Sequence, residues 1–227
     1  YDFLLFHEMG HEWWGNYLSV ADWADFWIHE GFDTYAEALY IEEKFGKDPS
    51  KTFVKNRYKK QISNKQAIVT EQNVSTDYYL DNDVYYKGAY TLHSLRYLIG
   101  DDIMFASLKE FISMSKDKSH NQTSTAEFIS LIHKNYGKNI QWFFDCYLYR
   151  GELPTLMVEE ETIGDKKYYD LWWKDDGFLM PLEIEYVSFD GKRNRKLDLT
   201  NSPLRIVIPK YSDLKTDPNE WLLFNRK

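Results

Sequence analysis

The sequence has 227 residues, 43% hydrophobic and 18% aromatic, enough to bury a sizeable core and to divide into one large and one small unit. Lys and Arg number 28 against 36 Asp and Glu, a net charge of -8 that offers a polyanion no basic surface and argues against nucleic acid as a partner. Cys146 is the only cysteine, which excludes an internal disulfide, and no apolar run reaches the length of a transmembrane segment.

The chain opens at Tyr1, almost inside its first predicted helix, Phe3 to Asn16, and so reads as part of a longer protein whose targeting information lies upstream. That helix carries His-Glu-Met-Gly-His at residues 7–11. Its flanks, Phe3-Leu4-Leu5-Phe6 and Trp13-Trp14, are apolar on nearly every side and predict a buried helix. Residues i and i+4 lie one above the other on a helix, so His7 and His11 offer two imidazoles to one ion.

A second helix is expected from about Asp25 to Glu43, with Glu30 in its early turns after an interval of 18 residues from His11. Its carboxylate completes a three-ligand set of His7, His11 and Glu30 for zinc, with a fourth position left for water. Glu8 is beside a ligand but off its row, as suits a base that acts on water. Buried imidazoles and carboxylates need partners, and a metal serves all three. Glu37, seven residues beyond Glu30 on the same face, either orients a ligand histidine or meets solvent.

Gly46, Asp48 and Pro49 break the pattern, and the basic run from Lys51 to Lys65 reads as a solvated face. Little periodicity follows until Tyr85-Tyr86-Lys87-Gly88-Ala89, where a loop is expected to deliver Tyr85 just ahead of a helix. Further helices are predicted from Asp101 through Phe111, from a Ser124/Glu127 capping box to Tyr136, and from Ile140 to Tyr149. Cys146 reads as a small buried hydrophobe beside Phe143 and Phe144, and His93, His120 and His133 as structural.

Beyond Pro154 the period changes from 3.6 to 2. Short strands are expected at 156–158, 168–173, 182–186, 204–208 and 221–224, separated by Gly164, Asp176-Gly177 and Asp190-Gly191. The predicted fold class is α+β in two units, residues 1–153 mostly helical and residues 154–227 a small antiparallel β module.

Residues 7–16 with 27–37, then 84–89, then 143–156, resemble the zinc aminopeptidases of the aminopeptidase N type, a gluzincin family. The resemblance implies the helical half of a thermolysin-like catalytic domain followed by a β-sandwich, and removal of single residues from the amino termini of peptides. It makes His7, His11 and Glu30 the ligands of Zn²⁺, Glu8 the general base and Tyr85 the stabiliser of the transition state. His29 departs from the family's usual asparagine before the third ligand, and is expected to replace that residue's hydrogen bond. Family members also hold the substrate's amino group with a glutamate in a Gly-x-Met-Glu-Asn segment upstream of the metal helix, and no such segment occurs here. Weak or no aminopeptidase activity is therefore expected from this chain alone. The competing readings are a thermolysin-like endopeptidase, which shares the zinc chemistry, and a catalytically inactive scaffold.

Overall fold

A computed structural model describes residues 2–77, 80–114 and 121–227 of the chain, which divides into two units at Glu152/Leu153. In the first unit, α1 (Phe3–Gly10) is started by Asp2, whose carboxylate accepts from Leu5 N at 3.2 Å. It stops at Gly10, well short of the expected Asn16. The amides of Asn16, Tyr17 and Leu18 then bond to the carbonyls of His11, Glu12 and Trp13, five residues back, so the chain widens into turns around Gly15. Contrary to the expectation of burial all round, Leu4 is 69% exposed, Leu5 58%, Met9 55% and Trp13 52%; Gly10 alone of the α1 residues is buried. Apolar flanks show that a face is to be covered, but not what covers it.

Strand β1 (Ser19–Val20) pairs in parallel with β2 (Gln122–Thr123), and a 3₁₀ turn at Trp23–Asp25, capped by Asp22, leads into α2 (Trp27–Phe45). α2 is the spine of the unit: Trp27, Ile28, Glu30 to Tyr35, Glu37, Ala38 and Ile41 are buried. Helix α3 (Lys47–Phe53) continues into a π-helical turn, Val54–Lys59, and this basic stretch exposes Lys55, Arg57 and Lys60 as expected.

Next come α4 (Asp83–Ile99), α5 (Asp101–Ser113), α6 (Thr125–Tyr136) and α7 (Gln141–Tyr147). Ser124 caps α6 by accepting from Glu127 N at 3.3 Å. Tyr85 is the third residue of α4 rather than a loop residue, because Asp83 carries the helix start upstream of it. The carboxylate of Asp83 accepts from Ser63 N and Asn64 N at 2.7 Å each, and its burial makes those bonds costly to lose.

α2 and α4 approach almost backbone to backbone. A Cβ on Gly31 would stand 3.1 Å from the Gly88 backbone and from Val84 O, and no side-chain motion relieves such a contact. Two glycines in register thus let the first turn of α4, with Tyr85, reach the first turn of α2, with Glu30. Farther along, Arg96 donates to both Glu42 oxygens (2.7 and 2.8 Å) and both Asp101 oxygens (2.8 and 2.9 Å), locking α4 to α2 and α5. Rings of Trp27, Phe32, Phe111 and Phe128 fill the centre, with Phe32–Phe128 centroids 5.2 Å apart. His93 packs against Tyr35 and Tyr90, and His133 against Phe144; His120 lies outside the described residues. Cys146 is buried as expected and accepts from Arg150 Nη2.

The second unit holds two sheets. In the first, β7 (Leu204–Pro209), β4 (Lys166–Trp173) and β3 (Thr155–Ile163) are antiparallel neighbours, and β9 (Asn225–Arg226) adds to β3 in parallel. In the second, β6 (Gly191–Leu197) and β8 (Lys215–Thr216) flank β5 (Leu182–Ser188). Leu156, Leu171, Trp173, Leu182, Ile184 and Leu197 are buried between polar alternates, and Trp173 Nε1 donates to Met180 O at 2.7 Å. Two expectations fail here. Residues 221–224 form no strand, because Asp217 draws the Trp221 and Leu222 amides onto its carboxylate at 2.9 Å each. β6 was not expected, since six of its seven residues are exposed and only its pairing with β5 holds it extended. The described residues thus form an α+β fold, and no helix among them is long and apolar enough to cross a membrane.

Candidate functional site

The two motif imidazoles face α2. His7 sets Nε2 3.2 Å from Glu30 Oε2 and Nδ1 3.2 Å from Glu37 Oε1. His11, the residue that ends α1, holds Nε2 3.5 Å from the same Glu30 oxygen, while its Nδ1 faces Trp14 O at 3.2 Å and Asp33 Oδ2 at 2.5 Å. Oxygen acceptors thus stand at both Nδ1 atoms, and both Nε2 atoms turn toward Glu30.

Positive charge is what this convergence requires. Burial alone would lower the His7 pKa, but hydrogen bonds and charge from Glu30 and Glu37 override it and push it to about 10. Burial raises the Asp33 carboxyl to about 8; the charge of His7 opposes that rise, while Glu30, Glu8 and Glu37 add to it. The His7 shift records the negative potential of Glu30 and Glu37, and the Asp33 shift records burial first and the neighbouring carboxylates after it.

The cluster could hold a divalent cation. One ligand atom each from His7, His11 and Glu30 lie within 4.8 Å of one another. A tetrahedral zinc with bonds of roughly 2.0–2.1 Å separates its ligand atoms by about 3.4 Å, and the 3.2 and 3.5 Å spacings to Glu30 match that value. The donor set, two imidazoles and a carboxylate with the imidazoles' remote nitrogens tied off, suits zinc.

Tyr85 and Glu8 border the cluster. The Tyr85 ring centroid is 6.1 Å from that of His7, and its phenol feels the charge of Glu30. Burial first, then the charge of Glu30, pushes its pKa up to about 12, so it remains a proton-bearing donor through neutral pH. Asp83 and Lys87, two residues to either side, hold it in place; the buried Lys87 Nζ donates to Arg150 O at 2.9 Å and Gly151 O at 3.1 Å. Glu8 follows His7 on α1, exposed, and its charge reaches both Asp33 and Tyr85.

His29 makes a hydrogen bond of its own: Nε2 accepts from Val20 N at 3.1 Å, and burial lowers its pKa, which keeps it neutral. Glu37 is buried and meets His7, with Arg57 Nε 3.5 Å from its other oxygen. Asp33 was not singled out in the sequence. Its signal was there, at i+3 from Glu30 and i-4 from Glu37, on the face that carries both.

The sequence profile described as the Peptidase family M1 domain matches residues 3–147. The chain belongs to peptidase family M1. Among M1 relatives, aminopeptidase N of Lactococcus lactis subsp. lactis is 25% identical over 96% of this chain and 26% of its own length. The crystal structure of Legionella pneumophila aminopeptidase A in complex with aspartic acid superposes with a TM-score of 0.75 at 17% identity, covering 99% of this chain and 26% of that one. An M1 zinc metallopeptidase mutant of Deinococcus radiodurans bound to a Tyr-Ser-Ala substrate gives a TM-score of 0.57 at 24% identity, over 68% of this chain and 34% of that one. The chain therefore spans about a quarter to a third of the length of these M1 proteins.

Proposed function

We propose that this chain is the metal-bearing part of a zinc aminopeptidase, with His7, His11 and Glu30 as ligands, Glu8 as general base and acid, and Tyr85 as the donor to the developing oxyanion. The observation that carries the reading is the convergence of both Nε2 atoms on one Glu30 oxygen while both Nδ1 atoms are committed elsewhere. Bound Zn²⁺ supplies a Lewis acid and lowers the pKa of its water to roughly 7. Glu8 takes a proton from the attacking water and returns it to the departing amine. Tyr85 keeps its proton and aims it where negative charge grows on the carbonyl oxygen of the substrate. Glu37 holds the His7 ring in the tautomer that leaves Nε2 free.

The peptide's free amino group needs a carboxylate anchor, and the Gly-x-Met-Glu-Asn segment that would supply it is absent from the sequence. The exposed apolar side chains of α1 and the turn after it support the same reading, because a surface with Leu4, Leu5, Met9 and Trp13 open is one that further polypeptide covers. The chain alone is then weak or inactive, and activity belongs to a polypeptide of the relatives' length.

Aminoacyl and N-acetylated aminoacyl chromogenic amides, offered to this chain and to such a longer polypeptide, test the reading. The longer protein should cleave the first substrate and leave the acetylated one intact, and the chain alone should cleave neither at a robust rate. Equal cleavage of an acetylated peptide would point to an endopeptidase, and a robust rate from the chain alone would remove the need for an anchor outside it.

A further inference from the structure

We infer that Asp33 is a positioning residue for His11, a buried carboxylate that fixes the second imidazole as Glu37 fixes the first, and that it sets how tightly the site holds its cation. The inference rests on the zinc reading above and adds to it the group that tunes affinity.

The geometry is specific. α2 presents Glu30, Asp33 and Glu37 at i, i+3 and i+7, so one helix face supplies a candidate ligand and a carboxylate for each of two imidazoles. Asp33 Oδ2 stands 2.5 Å from His11 Nδ1, and Glu37 Oε1 3.2 Å from His7 Nδ1. The fit is built into α1 as well, since a Cβ on Gly10 would collide with Asp33 Oδ1. The residue just before His11 thus lacks a side chain where the carboxylate enters.

The other uses of a buried aspartate are missing. Asp33 is fully buried, and among the described residues neither of its oxygens has a hydrogen-bond partner of regular geometry, nor does a lysine or arginine pair with it. It caps no helix, since it sits in the second turn of α2 with its side chain turned to α1. A carboxylate so placed destabilises the protein unless a positive centre compensates it, and the line from Asp33 through the His11 ring leads to the point where both Nε2 atoms and Glu30 converge. Trp14 O also accepts from His11 Nδ1, at 3.2 Å, and on its own could select the tautomer. What Asp33 would add, with a cation bound, is negative charge behind the ring, which makes the opposite nitrogen a stronger donor to that cation.

Zinc affinity and metal-free stability therefore move in opposite directions when Asp33 is changed. Asp33→Asn keeps the shape and one acceptor but loses the charge; Asp33→Ala loses both. Zinc dissociation constants from competition with a chromogenic chelator should rise by roughly 10- to 100-fold, more for the alanine variant. Melting temperatures of the metal-free variants should equal or exceed that of the metal-free wild type, because a buried carboxyl group without a hydrogen-bond partner of regular geometry has gone. Unchanged affinity beside a zinc-binding wild type would overturn the role of Asp33 alone. So would a lowered metal-free melting temperature with unchanged affinity, the pattern of a purely structural residue. A wild type without zinc would remove the underlying reading and this one with it.

Discussion

Glu8→Gln, placed in a polypeptide of the relatives' length, should keep its zinc and lose roughly 10²- to 10⁴-fold in the rate of aminoacyl amide hydrolysis. The amide is nearly isosteric with the carboxylate and cannot take a proton from water. Glu8 neighbours His7 in sequence but is exposed, and the three ligand candidates converge without it. Its contribution in this account is to the proton alone. Steady-state rates and zinc content measured on the same preparation check it. A variant that keeps its rate reassigns the base, and one that loses zinc makes Glu8 part of the coordination.

Trp27→Ala should destabilise the helical unit by about 3–5 kcal/mol, the usual range for deleting a large buried aromatic side chain. At roughly 2–4 °C per kcal/mol for a protein of this size, the melting temperature falls by about 6–20 °C. Trp27 is fully buried, its ring packs on Phe32 and Phe128, and its Nε1 donates to Thr125 Oγ1 at 2.7 Å, a partner left unsatisfied by the change. Because Trp27 opens α2 three residues before Glu30, zinc affinity should weaken alongside stability. An unfolding free energy from denaturant titration within about 1 kcal/mol of wild type would mean that this core does not set the position of α2.

The helices of the first unit were legible because their signals are local. Apolar spacing of 3.6, the Ser124 cap with Glu127, and the breaks at Gly46 and Gly137 each act within a few residues. The errors lie where distant partners decide. The turns after Gly10 depend on bonds from Asn16, Tyr17 and Leu18 to carbonyls five residues back, which no propensity encodes. β6 is held extended by β5 despite its run of charged side chains, and residues 221–224, apolar enough for a strand, are gathered instead by Asp217.

The candidate site divides in the same way. His7, His11 and Glu30 could be chosen from spacing because metal geometry constrains sequence directly, and the structure brings all three together. The role of Glu37 stayed open until its burial beside His7 was seen. Asp33 was invisible, because its partner is an atom of His11 reached only after α1 and α2 pack, and because the notch at Gly10 that admits it has no meaning in one dimension.

Zinc content of the purified chain tests the central claim most directly. Purified in zinc-containing buffer and dialysed to remove loose metal, the wild-type chain should retain about one zinc by mass spectrometry of the metal, and chains carrying His7→Ala or Glu30→Ala should retain little. A wild-type chain that holds no zinc, or variants that hold as much as it does, would contradict the account.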